Sequence, residues 1–284
     1  MNNSTSCEHI PSPSGNIESH AHLLNIPSDD QLLYKMMSAE NFLRSFTGSY
    51  LHFNRVDSYK DFPSADPHDG EQLPKDQEIN ASITFQKAPD FSVAHYYDQS
   101  RSRTYACCFS LENSDFIWHK YATGSEIGKL CVVFRFGDLR EALNRALETG
   151  NTLLQDEDGR SSYLFWINYG IVEYVEWNNY QANVESVLNP IKYTYLKDKR
   201  FSEEKELRVS LSALGMGNFK WKDGAAMLFE DSLKMPFDFR AASGDGTIQE
   251  ILCAPDCDFD VLGAELAKVG IELNQDSILP LDKG

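Results

Sequence analysis

The sequence predicts an α+β domain organised around a central, mostly antiparallel β-sheet with short helices at its flanks. Three observations carry that expectation. Runs with strand character outnumber runs with helical periodicity, and the two kinds do not alternate, which argues against a doubly wound parallel sheet. No glycine-rich phosphate loop is present, because Gly215-Met216-Gly217 has neither a third glycine nor a following helical pattern. Apolar residues make up 42% of the 284-residue chain and aromatic ones 12%, enough to fill a sizeable core.

Residues 1–28 mix Ser, Asn, Pro and Gly without periodicity and read as a disordered tail, leaving 29–284 as a single domain. Leu32-Leu33-Tyr34-Lys35-Met36 is the first strand. Ser38 then caps a helix with Glu40 in its first turn, where the helix dipole favours an anion. Phe42, Leu43 and Phe46 form its apolar face, and Gly48 stops it. Tyr50-Leu51-His52-Phe53-Asn54 is the next strand, followed by an acidic, turn-rich stretch to about Pro74 that contains Asp57, Asp61, Asp66, Asp69 and Glu71. Residues 80–85 have strand character and 93–97 read as a helical turn.

Thr104–Ser110 has the pattern of a buried strand ending in a polar residue. Ser114 caps a short helix carrying Trp118, His119 and Tyr121, and Gly124 and Gly128 bracket the turn into a strand at 129–136. Asp138 opens a helix with Leu139, Ala142, Leu143 and Ala146 on one stripe. Residues 163–177 are rich in aromatic and β-branched side chains, with Gly170 at a bulge or turn. Further strands are expected at 191–196, 205–211, 226–230 and 248–253. Asp258 caps a last helix that presents Phe259, Leu262, Leu266 and Val269 on one face and ends at Gly270.

Charge and composition narrow the function. A net charge of −17 is a poor match for a protein that grips nucleic acid nonspecifically, which needs a basic surface to displace counterions. Lys197, Lys199 and Arg200 form a local basic stretch that reads as a solvated turn. The longest apolar runs, such as Leu130-Cys131-Val132-Val133-Phe134, fall far short of the ~20 residues of a membrane-spanning helix. Residues 1–6 lack the basic start and apolar segment of a secretion signal, so the expected compartment is the cytoplasm. Cys107, Cys108 and Cys131 lie in apolar runs. Cys253 and Cys257 have no second pair or nearby histidine to complete a zinc site.

The most chemically loaded stretch is Glu204-Lys205-Glu206-Leu207-Arg208. On a strand, Glu204, Glu206 and Arg208 project to one side while Leu207, Val209 and Leu211 meet the core on the other. Two carboxylates and a guanidinium then crowd one face.

The order Cys108-Phe109-Ser110, Trp118-His119-Lys120-Tyr121-Ala122, Gly128, Tyr174 and Phe201-x-x-Glu204-x-Glu206-x-Arg208 resembles the bacterial domain-of-unknown-function family numbered 2971. Leu33-Tyr34-Lys35, Asp66-Pro67 and Ile251-x-x-x-Pro255 extend the resemblance over nearly everything from residue 32 onward. One position departs from it: Ala65-Asp66-Pro67-His68-Asp69 stands where the family often has Asn-Asp-Pro-Phe-Glu.

The same order is similar to the site plan of ADP-ribosyltransferases, which split the nicotinamide–ribose bond of NAD. That resemblance implies a central sheet, whole or split, with NAD as co-substrate. It casts Glu206 as the carboxylate that stabilises the oxocarbenium-like ribose and Glu204 as the group that orients or deprotonates the acceptor. Ser110 would fix Glu206 by hydrogen bonding. Trp118 or Tyr121 would stack on nicotinamide. Tyr34 and Lys35 would hold the adenosine half, with Arg55 as a spare phosphate partner and Arg208 as a clamp on the glutamates. The acceptor implied is a macromolecule, protein or nucleic acid, as in a toxin or phage-defence effector held by an antitoxin or regulator. Two other readings compete. One is a metal-dependent nuclease or hydrolase using Asp66, Asp69, Glu204 and Glu206 with Lys205. The other is a non-catalytic binding module.

Overall fold

The computed structural model describes residues 17–270, apart from 19, 62–64, 87, 149–153, 156–160, 163, 181–188, 222, 256 and 269. In chain order these form β1 (Leu32–Ser38), α1 (Ala39–Gly48), β2 (Tyr50–Arg55), α2 (Pro74–Ser82), β3 (Thr84–Phe85), β4 (Ala88–Ser92), α3 (Val93–Arg101) and β5 (Thr104–Ser110). Next come α4 (Asp115–Lys120), β6 (Lys129–Arg135), α5 (Phe136–Glu148), β7 (Leu154–Gln155), β8 (Ser161–Ser162), β9 (Trp166–Ile171), β10 (Glu173–Val175), α6 (Ile191–Thr194) and β11 (Leu196–Asp198). The chain continues through β12 (Glu206–Ser212), β13 (Ser232–Pro236), α7 (Phe239–Asp245), β14 (Ile248–Cys253) and α8 (Phe259–Lys268). Short 3-10 turns occupy Ala21–Leu23, Val56–Asp61 and Lys199–Glu204.

Eight strands form one sheet in which every pairing is antiparallel, in keeping with the expected α+β class. β5 lies at its centre. One edge of β5 pairs with β12 over its whole length, from Glu206 opposite Ser110 to Ser212 opposite Thr104, and β9 extends that side. The other edge is shared: β1 meets β5 at Tyr34 and Ser110, whereas β2 meets it at Asn54–Ala106 and Arg55–Tyr105. Between those points Cys107, Cys108 and Phe109 have no strand partner on that edge. β1 leads on to β6 and β14, and β2 to β13. The sheet is therefore split, and a cleft opens where β1 and β2 part.

Strand alternation places the core. Leu207, Val209 and Leu211 bury on the same side as Tyr105, Cys107 and Phe109, in one cluster with Phe42 and Phe46 of α1, Leu139 and Leu143 of α5, and Leu262 and Leu266 of α8. A second, smaller cluster includes Leu73, Tyr97, Trp177, Tyr193 and Leu196, and beside it the Thr194 carbonyl and the Tyr195 hydroxyl bond Arg208 and Ser210 on the opposite face of β12. Ser38 caps α1 by accepting from Asn41 N at 3.2 Å, and Asp258 caps α8 by accepting from Val261 N at 3.0 Å.

Several expectations are corrected. Residues 191–196 begin as α6, because Asn189 Oδ1 accepts from Ile191 N at 3.0 Å and Asn189-Pro190 turns the chain before β11 forms. The strand expected at 226–230 lies at 232–236. The Phe229 and Glu230 carbonyls are taken by the Arg55 and Tyr105 side chains instead of a ladder. Residues 80–82 complete α2, which Pro74 opens at its first position. Ser49, at φ 51°, makes the left-handed stop of α1 that Gly48 was expected to supply. Ser114 makes no side-chain cap, since its hydroxyl is buried without a hydrogen bond. Val269 lies outside the described residues, as do 1–16 of the expected tail. The described part of that tail is docked: Ile17 and Glu18 are buried, Glu18 accepts from Arg140 and Asn144, and the Ile17 and Asn25 carbonyls accept from Ile167 N and Ile171 N along the outer edge of β9.

Candidate functional site

The cleft at the split of the sheet encloses about 620 Å³. Its floor is built where β12 begins. Glu206 and Arg208 share the polar face of that strand, as alternation requires. Glu204 does not lie on it: the 3-10 turn ends at Glu204, and Lys205 adopts a left-handed conformation (φ 46°) before the strand starts. The turn is held from β5, since the Ser110 hydroxyl lies 2.9 Å from the Glu204 carbonyl and Leu111 N donates to the Lys205 carbonyl at 2.8 Å. Glu204 still reaches the expected neighbourhood, because Lys197 Nζ bridges the two glutamates at 2.5 Å from Glu204 Oε2 and 3.0 Å from Glu206 Oε2.

The charges at the floor form one buried network. Arg208, with no exposed surface, donates to Glu206 Oε1 at 2.6 Å, to both oxygens of Asp69 and to the Thr194 carbonyl at 2.8 Å. Lys120 of α4 pairs with Glu204 Oε1. Three carboxylates thus meet three cations and cancel. Burial alone would raise the Glu206 carboxyl, yet Arg208 and Lys197 overcome it and hold the group far below the carboxylate range. For Asp69 burial prevails over the same two cations and pushes the carboxyl up. Burial opposes the Lys197 ammonium, but Glu206 and Asp69 raise it, so it stays charged. Burial and then the two glutamates push the Tyr121 phenol far up, keeping it a neutral donor to Glu204. The Cys108 thiol, pushed up by burial and by Glu206, is no nucleophile in this setting.

Of the residues singled out from the sequence, Tyr34, Lys35, Ser110, Tyr121, Glu204 and Glu206 all line the cleft. Ser110 sits opposite Glu206 in register, but its hydroxyl bonds the Glu204 and Glu112 backbone rather than the Glu206 carboxylate. Two expected ligand contacts are corrected. Trp118 is buried in a cluster with Ile117, Val133 and Leu252, its Nε1 donating to Asn113 Oδ1 at 2.7 Å, and it does not line the cleft. Arg55 lies at the far end of β2, paired with Asp57 at 2.6 Å and Asp231 at 2.9 Å. Arg208 lies beneath the cleft lining, where its guanidinium donates to both oxygens of Glu206.

Lys197, expected in a solvated turn, is instead only 5% exposed. Its flanks, Tyr193-Thr194-Tyr195-Leu196, are buried and carried that signal. His52, absent from the expected site, alternates with the buried Leu51 and Phe53 and so faces the cleft. Among the described residues no three of His, Cys, Asp and Glu gather to hold a metal ion. Asp66 instead caps its own turn, accepting from His68 N at 2.9 Å. No described helix is long and apolar enough to cross a membrane.

No family model matches the chain. No curated protein matches it either.

Proposed function

We propose that the cleft binds NAD and transfers its ADP-ribose moiety to an acceptor. The observation that carries this reading is the meeting of Ser110, Glu204 and Glu206 at one end of a 620 Å³ cleft, at the point where β1 leaves β5. The nicotinamide–ribose bond breaks with both electrons leaving on nicotinamide. Positive charge then develops on the ribose beside Glu206, whose carboxylate stays ionised across the whole working pH range. Glu204, two residues earlier, accepts the proton of the incoming nucleophile. Tyr121 donates to Glu204 and offers its ring to the nicotinamide. The resemblance of the residue order to the site plan of ADP-ribosyltransferases supports the same assignment through the residues quoted above.

A second reading has one specific observation in its favour. Both oxygens of Glu206 already accept from Arg208, and Lys197 pairs with one of them, so the floor has no net charge to give a cationic transition state. On that reading the cleft recognises a nucleotide without turning it over.

Purified protein incubated with NAD separates the two. Nicotinamide release that falls at least about a hundredfold in Glu206→Gln and Glu204→Gln, with both variants still folded, supports transfer. Thermal stabilisation by NAD with no nicotinamide released supports the binding module. No response of either kind removes NAD as the ligand.

A further inference from the structure

The other end of the cleft has a chemistry of its own, whatever happens at the glutamates. In a chain of net charge −17, Lys35 of β1, Arg44 of α1, His52 of β2 and Lys234 of β13 line the same cavity. Lys234 is the register partner of His52, so the two side chains leave adjacent strands on one side. Among the described residues none of the four forms an ion pair, although the protein has 43 carboxylate side chains to offer. Their contacts are neutral ones. Lys35 Nζ donates to the Cys108 carbonyl at 3.1 Å, on the unpaired stretch of β5. Arg44 donates to Asn41 Oδ1. Lys234 Nζ stands 4.7 Å from the centroid of the Tyr50 ring. Gathering like charges around a cavity without a counter-ion is unfavourable unless an anion enters it.

We propose that Lys35, Arg44, His52 and Lys234 form a binding site for a phosphoryl group, and that His52 takes up a proton as the anion enters. His52 Nε2 lies 3.0 Å from Asn54 Oδ1 and donates to it, which leaves Nδ1 to accept the incoming proton. Among the described residues the charged groups that face His52 are Lys35 from β1, Arg44 from α1 and Lys234 from β13, all cationic; its own strand adds Tyr50 and Asn54 on the same face. Burial first, and then those three cations, hold the imidazole below its ordinary proton affinity. A dianion among the same three groups reverses their field. By linkage, binding then tightens as the pH falls through the imidazole range. The Tyr50 ring beside Lys234 suits a phosphate ester that carries a planar ring, such as a nucleotide.

Inorganic sulfate is the probe, a tetrahedral dianion that neither gains nor loses a proton between roughly pH 5 and 8, so that any uptake belongs to the protein. The His52 imidazole proton resonance, identified by its absence in His52→Gln, is followed against pH with and without sulfate. Sulfate is expected to raise the proton affinity of His52 about tenfold and to stabilise the fold more at pH 6 than at pH 8. Arg44 and Lys234 are solvent-exposed, so Arg44→Gln and Lys234→Gln should fold normally. Each is expected to weaken sulfate binding about tenfold. In the double variant His52 should titrate at higher pH without sulfate and no longer respond to it. A His52 resonance indifferent to saturating sulfate, or a double variant that binds sulfate as the wild type does, overturns the proposal. Sulfate-responsive His52 without any NAD turnover leaves this site standing and removes the transferase reading; turnover without the sulfate response does the reverse.

Discussion

At the floor of the cleft three cations and three carboxylates are paired and mostly buried, whereas at its mouth Lys35, Arg44 and Lys234 have no carboxylate against them among the described residues. The two ends lie in one cavity and use the same residue types, so the difference lies in pairing and solvent, not chemistry. A buried ion pair adds little net stability, because desolvating both charges offsets their attraction, but removing one partner strands the other. The floor therefore holds a fixed geometry. The mouth has charge to spare for a ligand and little structural cost attached to changing it.

The largest expected effect comes from breaking the floor. Arg208→Leu leaves Asp69 and Glu206 facing each other with only Lys197 between them, and should lower unfolding stability in urea by about 3–5 kcal/mol. Arg208→Lys should recover only part of that loss, since an ammonium cannot reproduce the forked contacts to both carboxylates. A loss under about 1 kcal/mol for Arg208→Leu would mean that the floor is not a single network. The mouth should behave in the opposite way. Lys234→Gln is expected to change stability by less than about 0.5 kcal/mol while weakening anion binding by about 1–2 kcal/mol in a titration. Salt sharpens the contrast by a smaller margin. Raising ionic strength tenfold should weaken anion binding several-fold yet leave the stability gap between wild type and Arg208→Leu unchanged, because buried pairs are poorly screened.

The smallest effect tests whether pairing or burial sets the behaviour of a charge. Glu40, on α1, accepts from Ser125 Oγ and from the Glu126 and Ile127 amides, tying the 125–128 turn to the helix. Burial acts to raise its carboxyl, but those donors together lower it to about 2. Because the folded state holds the group below its unfolded value near 4.5, its contribution is complete above that pH and is lost as the pH falls from there towards 2. Glu40→Gln should flatten acid unfolding over that window, and unchanged acid sensitivity in the variant would assign the anchor no role.

Much of this arrangement was legible in the sequence wherever alternation or a cap wrote it locally. β5 and β14 have the expected bounds, and Glu206 and Arg208 share a face opposite Leu207 and Val209 because a strand permits nothing else. Ser38 and Asp258 cap their helices through oxygen atoms one turn from the amides they bond. What escaped was set by partners distant in the chain. Lys197 looks solvated until Glu204 and Glu206 are folded against it, and the displacement of a strand from 226–230 to β13 follows from Arg55 and Tyr105 capturing two carbonyls. Glu204 lies off the strand because Lys205 turns left-handed, a conformation that lysine composition does not announce.

The segment from Ile17 to Asn25 has a consequence beyond its own docking. It supplies acceptors to Ile167 N and Ile171 N on the outermost strand of the sheet, and Leu24 packs against Gly170 between them. Cut away, it would leave a row of bare amides flanked by Trp166, Ile167 and Tyr169, a ready template for a second molecule to add its own strand. Shortened versions of the protein beginning after residue 28 should accordingly self-associate, and the concentration at which they do so measures how much the docked segment contributes to keeping one chain apart from the next.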